Sequence, residues 1–320
     1  MHYILMSQLT LGKTPAGNKS LIHYKTFGRL NTNAEAVVAI HGLGRTHKDF
    51  LGQVEPICSM GKPLVVIDLP GHGLSALGES TAATILDDST RAIANLCKEL
   101  GIRRLHLLGH SWGGLVAINY ARLSQQNQKM IQAESIVLAA PIIRDVRRTL
   151  PYTNLPCVSL LTRSLLAGFN TMYNLDQNAA YSQELNRSAY KSFMLTRAVF
   201  ELFSPLIARN IATGDKAVES FDSFLADLKR SSPEVTTMVL STMFKQAEDL
   251  FELLKLRVFE LPKRFLCVCG EDDLLVGAKE IKESLALVTP ELSRSVETVR
   301  TGHFVASDSH DLNIRLHSFY

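Results

Sequence analysis

The chain has 320 residues, 46% of them apolar and 20% charged, with a formal net charge of +3. This is the composition of an ordinary globular protein with room for a sizeable core, about two units at ~150 residues each. The small, dispersed charge excludes a nucleic-acid or membrane surface driven by electrostatics, and no apolar run approaches the ~20 residues of a membrane span. Five cysteines is an odd count without disulfide-framework spacing, so a reducing cytoplasm is expected. Met1 to Leu11 has no positive start, long apolar stretch or small-residue cleavage site, so no secretory signal is read there.

In chain order, Tyr3–Met6 and Leu21–Lys25 read as edge strands joined by a turn rich in Gly12, Pro15, Gly17 and Asn18. Gly12-Lys13-Thr14 lacks the first glycine of a phosphate-binding loop, since position 7 is Ser7, and nucleotide binding is rejected. Apolar strands then alternate with helices. Strands are expected at Val37–Ile40, Leu64–Ile67, Leu105–Leu108 and Ser135–Ala139, with helices over Thr46–Met60, Thr81–Leu100 and from Trp112. Unbroken β-branched runs between helices indicate a parallel sheet covered on both faces. After Pro141 the alternation stops. Helical patches follow at Leu160–Phe169, Leu185–Arg209, Ala217–Lys229 and Glu234–Leu256, read as an inserted helical cap over residues 142–257. Arg144, Arg147 and Arg148 are expected on a solvated face at its entrance. Alternation resumes with a strand at Phe265–Cys269, a helix at Ala278–Leu287, a strand at Ser295–Val299 and a closing helix from Ser307. Cys267 and Cys269 should share a strand face as small core residues.

The chain is organised around Gly109-His110-Ser111-Trp112-Gly113, a G-x-S-x-G pattern between a buried strand and a helix. A serine on so tight a turn presents its hydroxyl while its backbone is strained by about 1–3 kcal/mol. The flanking positions must be small because strand and helix nearly touch there. The helix that follows points its positive end at the serine.

With this elbow, His41-Gly42-Leu43-Gly44, Asp68-Leu69-Pro70-Gly71-His72-Gly73-Leu74-Ser75, Gly270-Glu271-Asp272-Asp273 and Gly302-His303-Phe304 occur in the order found in α/β-hydrolases. The chain resembles a serine-nucleophile member of that superfamily with a cap. The resemblance implies an α/β-hydrolase fold, a mostly parallel central sheet flanked by helices. Residues 1–141 and 258–320 would form the core domain and 142–257 the helical cap.

Ser111 is the expected nucleophile. A serine hydroxyl needs a base at neutral pH, and an imidazole near neutrality suits this. His303 is that base by resemblance to the family's histidine loop. Asp273 is the expected acid that orients it. Asp272, next in sequence, and Asp145, after the strand ending at Ala139, are competitors. The backbone N–H groups of Leu43 and Trp112 are the expected oxyanion hole, worth several kcal/mol where charge develops on the substrate. Leu43, Trp112 and Phe304 are candidate substrate-binding residues. His41 is expected to brace its loop, His110 to pack behind the elbow, and Asp68–Ser75 to form a structural turn. His310 and His317 are expected as surface or packing residues of the final helix. Without CxxC, HExxH or GxGxxG patterns, no metal site and no cofactor are expected.

The reading is a cytoplasmic serine hydrolase that cleaves a small or medium-chain acyl ester through an acyl-enzyme. It needs no nucleic-acid partner and no integral membrane association. Thioesterase, monoacylglycerol lipase, aminopeptidase and carbon–carbon bond hydrolase share this machinery. A ligand sensor retaining the fold is the alternative from another class.

Overall fold

The computed structural model describes residues 6–13, 19–30, 35–149, 222–224, 226–227, 230–273, 275–308 and 310–320. The strands are β1 Met6–Lys13, β2 Lys19–Phe27, β3 Glu35–Ile40, β4 Leu64–Ile67, β5 Arg104–His110, β6 Ala133–Ala139, β7 Arg264–Gly270 and β8 Val296–Val299. They form one eight-stranded sheet in the order β1-β2-β4-β3-β5-β6-β7-β8. β2 runs antiparallel to both neighbours, and every pairing from β4 to β8 is parallel.

The apolar runs take this form because the central strands are buried on both faces. Alternate residues sort into two clusters, as a side-chain period of two requires. Val38, Ile40, Val65, Ile67, Leu105, Leu107, Ile136 and Leu138 pack on one side. The helices α2 Ile85–Glu99 and α3 Trp112–Gln126 cover that side. Val37, Ala39, Leu64, Val66, Leu108, Val137 and Ala139 pack on the other. There they meet Phe50 of the 3-10 turn His47–Gln53, Ile57 of α1 Val54–Ser59, and Leu312 and Leu316 near the C-terminus.

Two expectations change at the edge and the entrance. The first strand lies later than its sequence suggested: Gly12 pairs with Ser20 inside a hairpin rather than forming the turn. Residues Tyr3–Leu5 lie outside the described residues. Arg144 is not on a solvated face. It is buried, because its guanidinium meets both oxygens of Glu248, at 3.1 and 2.5 Å, and lies 4.3 Å from the Phe251 ring. Arg147 and Arg148 are exposed as expected.

This staple joins the two ends of the segment between β6 and β7. Its described helices are α4 Val146–Thr149, α5 Pro233–Ser241 and α6 Ala247–Lys255, the last two continuous through a π-turn at Thr242–Gln246. The patches expected at Leu160–Phe169 and Leu185–Arg209, and part of Ala217–Lys229, lie outside the described residues. After β7 come α7 Ala278–Ala286 and α8 Pro290–Arg294, and after β8 come α9 Val305–Asp308 and α10 His310–Phe319. His310 and His317 are exposed on α10. No helix among the described residues is long and apolar enough to cross a membrane.

Candidate active site

β5 ends at His110 and α3 begins at Trp112, which leaves Ser111 alone at the crossing. Its backbone stands at φ 51° and ψ −117°. A non-glycine residue holds such a conformation only when its surroundings over-determine it. Here the Ser111 N–H donates to the Ala139 carbonyl at 2.9 Å, and the Ser111 carbonyl accepts from Gly114 at 2.9 Å and Ile142 at 3.0 Å. The glycines follow from close approach. A Cβ on Gly109 would stand 2.5 Å from the Gly113 carbonyl oxygen, and one on Gly113 would collide with the carbonyl oxygens of Ile40 and His41.

The loop after β8 carries His303 to the serine. The His303 Nε2 lies 3.0 Å from Ser111 Oγ, and its Nδ1 lies 2.9 Å from Asp273 Oδ2. An ionised carboxylate only accepts, so Nδ1–H donates to Asp273 and Nε2 is left to accept the serine proton. The other oxygen of Asp273 accepts the backbone N–H groups of Leu275 at 2.8 Å and Val276 at 2.9 Å. All three side chains are buried. Gly270 lets the two loops touch, since a side chain there would strike the carbonyls of Thr301 and Gly302.

The competing acids are elsewhere. Asp272 is exposed, and its amide donates to the Thr301 carbonyl at 3.2 Å. The Asp145 carboxylate is held by Arg147, Nε to Oδ1 at 2.9 Å.

The His41–Gly44 loop lies directly against the serine. A Cβ on Gly42 would be 3.1 Å from Ser111 Cβ and 3.2 Å from His110 Nδ1. His41 braces the loop as expected: its Nε2 accepts the Leu69 N–H at 2.9 Å, so Nδ1–H donates to the Gly42 carbonyl at 2.7 Å. Burial holds this imidazole below its ordinary value, which keeps Nε2 an acceptor. Trp112 opens its helix, where an N–H has no helical carbonyl to meet. Neither it nor the Leu43 N–H has a hydrogen-bond partner among the described residues.

The Trp112 indole is a candidate for the pocket wall and equally for the core. Its described contacts include the His72 ring, with centroids 5.6 Å apart, and Thr242 Oγ1 at 3.1 Å. Phe304 is buried beside the Phe224 ring at 5.6 Å and under the Arg45 guanidinium at 5.3 Å.

The Asp68–Ser75 turn is organised by one buried carboxylate. Asp68 Oδ1 accepts from the His47 N–H at 2.7 Å and His47 Nδ1 at 2.9 Å, and Oδ2 accepts from His23 Nδ1 at 2.8 Å and the Leu74 N–H at 3.1 Å. Burial alone would raise this carboxyl, but His47 and the other donors hold it well below the usual range. Gly73, at φ 54°, packs so tightly on the carboxylate that a side chain would overlap it. Among the described residues, His23, His47 and Asp68 are the group whose composition suits a metal. Each histidine Nδ1 already donates to the carboxylate, however, and the four donors fill its lone pairs. The cluster is a hydrogen-bond hub joining β2, β4 and the His47 turn.

Three residues behind the site sit at positions whose identity no motif fixes, His110 at a variable position of the elbow pattern and Arg45 and Asp49 outside any pattern. His110 bonds the His303 main chain, Asp49 faces His110, and Arg45 locks Asp49. The signals available were a polar residue ending an apolar strand and an i,i+4 pair of opposite charge.

A family model described as the alpha/beta hydrolase fold matches residues 35–309. The dihydrolipoyllysine-residue acetyltransferase component of an acetoin cleaving system from Cupriavidus necator is 33% identical over 116 residues, 36% of this chain and 29% of that protein. A proline iminopeptidase from Clostridium botulinum is 32% identical over 114 residues, 34% of this chain and 39% of that protein. The chain thus aligns with well under half the length of these curated relatives. A thermophilic esterase from Thermogutta terrifontis, at 16% identity, superposes with a TM-score of 0.65 over 98% of this chain and 97% of that one, a likeness of fold.

Proposed function

Since the chain belongs to the alpha/beta hydrolase fold family, we propose that it is a serine hydrolase cleaving a small or medium-chain carboxylic ester. Ser111 attacks the carbonyl while His303 takes its proton, and Asp273 steadies the imidazolium that forms. The N–H groups of Leu43 and Trp112 receive the negative charge that develops on the carbonyl oxygen. The alcohol leaves with a proton from His303. Water, activated by the same ring, then releases the acyl group. Leu43 and Phe304 wall the substrate site, residues 142–257 cover it as a cap, and residues 1–141 with 258–320 form the core. A reducing, cytoplasmic setting is part of the same reading.

The observation that carries the proposal is the unbroken hydrogen-bond chain from Ser111 Oγ through both nitrogens of His303 to Asp273. Reactive positioning of this kind is the geometric requirement for an activated serine. The relatives do not share one reaction, so the test spans several. A fluorophosphonate should label wild-type protein at Ser111 and leave Ser111→Ala unlabelled. Nitrophenyl esters of graded chain length, thioesters and prolyl arylamides should be turned over by the wild type with esters ahead. Asp273→Asn should lower kcat by about 10³–10⁴-fold, and Asp272→Asn should leave it within about twofold. Unlabelled Ser111, or full turnover by Ser111→Ala, would refute the reading.

A further inference from the structure

The sequence contains one tryptophan, Trp112, directly after Ser111. Its indole is fully buried and held on two sides. The His72 ring stacks on it at an interplanar angle of 26°, and its Nε1–H donates to Thr242 Oγ1 at 3.1 Å. Thr242 opens the single π-turn in the helix running from Pro233 to Lys255. Such turns disturb the regular hydrogen-bond pattern and concentrate at functional sites. The protons at Thr242 are accounted for: its hydroxyl donates to the Val239 carbonyl at 2.7 Å, so the oxygen meets the indole as an acceptor.

We propose that Thr242 is a positioning residue that fixes the oxyanion-binding amide of Trp112 through the indole. The inference rests on the serine-hydrolase reading above. The peptide unit between Ser111 and Trp112 carries that amide. One end of the unit is tied, because the Ser111 carbonyl accepts from Gly114 and Ile142. The other end is the Trp112 Cα at the start of α3, and beyond the helix itself that end is held by the indole, wedged against His72 and bonded to Thr242. The serine's backbone is strained, so it stays in place only while both ends are held. A donor turned away from line weakens quickly, and only the transition state puts full charge on the oxygen it serves. The tether therefore acts on kcat, with little effect on KM. It also makes the helix between β6 and β7 part of the elbow's support, 130 residues further along the chain.

The test uses the full chain with Thr242→Val and Thr242→Ser. With one tryptophan in the sequence, emission excited at wavelengths where the eight tyrosines do not absorb reports on this indole and its surroundings. Thr242→Val should shift emission to shorter wavelength, because the excited indole loses its hydrogen-bond acceptor. It should also lower kcat on a nitrophenyl ester about tenfold, with KM within about twofold. Thr242→Ser keeps the oxygen and should restore both readouts. If Thr242→Val does not fold, Thr242→Ala carries the same expectations. Wild-type kcat in the Val or Ala variant, a loss of kcat without an emission shift, or no rescue by Ser would each overturn the proposal. Fluorophosphonate labelling of the wild type runs alongside. A wild type that is not labelled refutes the parent reading, whereas a labelled wild type with an indifferent Thr242→Val refutes the tether alone.

Discussion

The Nε2–H of His110 donates to the main-chain carbonyl of His303 at 2.9 Å. The residue before the serine therefore holds the backbone of the residue whose ring meets that serine. On its far side, His110 Nδ1 faces Asp49 Oδ2 at 3.6 Å, and Arg45 Nε donates to Asp49 Oδ1 at 2.6 Å. Burial by itself would raise the Asp49 carboxyl, but the Arg45 guanidinium and His110 hold it well below the carboxylate range. The cluster is thus a charged buttress behind the histidine loop.

Removing His110 should loosen that loop without touching the substrate. His110→Ala leaves a buried carbonyl without its donor, a cost of about 1–3 kcal/mol. The expected result is a roughly tenfold lower kcat with little change in KM. His110→Gln keeps an N–H within reach and should recover part of the loss. Steady-state kinetics on one nitrophenyl ester, with Tm recorded for each variant, decide it. An unimpaired His110→Ala would mean that the loop holds itself.

Two glycines separate stability from activity. At Gly113 an added methyl meets the rigid carbonyls of Ile40 and His41, so strand and helix must part. Gly113→Ala should cost at least ~3 kcal/mol and express poorly. At Gly42 the neighbours are the Ser111 Cβ at 3.1 Å and His110 Nδ1 at 3.2 Å, an overlap that a shift of a few tenths of an ångström in the His41–Gly44 loop relieves. Gly42→Ala should keep Tm within a few degrees while lowering kcat, because the adjacent Leu43 amide moves. Equal effects of the two variants on denaturant midpoints would contradict this division.

His72 should make stability fall with acid. Its Nδ1–H donates to the Pro70 carbonyl at 3.1 Å, while its Nε2 is buried without a partner among the described residues. Burial, followed by the neighbouring His41, pushes its pKa from 6.5 down to about 3. The folded value is depressed, so the unfolded chain takes the proton first as pH drops. The contribution is complete above about 6.5 and is lost progressively as pH falls toward the folded value. Tm should decline between pH 7 and pH 4. His72→Phe keeps a ring against Trp112 but takes up about one proton fewer on unfolding, so its Tm–pH curve should be flatter. Parallel curves for the two proteins would exclude His72 as the source.

The central strands were legible because a sheet buried on both faces demands uninterrupted apolar runs, and Val37–Ile40 or Phe265–Cys269 can be little else. The first strand was not, because an edge strand carrying Ser7, Gln8 and Thr10 among its apolar residues shows no such run. Arg144 read as a surface charge because its partner, Glu248, stands 104 positions away. The Asp68 turn was legible as a turn, but its reason was not: the carboxylate's partners come from β2 and from the His47 turn.

By itself the sequence determined that a serine stands at a strained bend between β5 and α3, because the glycines around it answer a local steric demand that spacing alone reveals. It favoured Asp273 over Asp272 only through resemblance to the family's Gly-x-x-Asp pattern. The two are neighbours of identical chemistry, and only the folded loop turns one toward the amides of Leu275 and Val276 and toward His303. Nor could it reveal the distant partners of the residues that support the site. His110 meets His303 across 193 positions and Trp112 meets Thr242 across 130, and contacts at such separations exist only once the sheet has brought its loops to one edge.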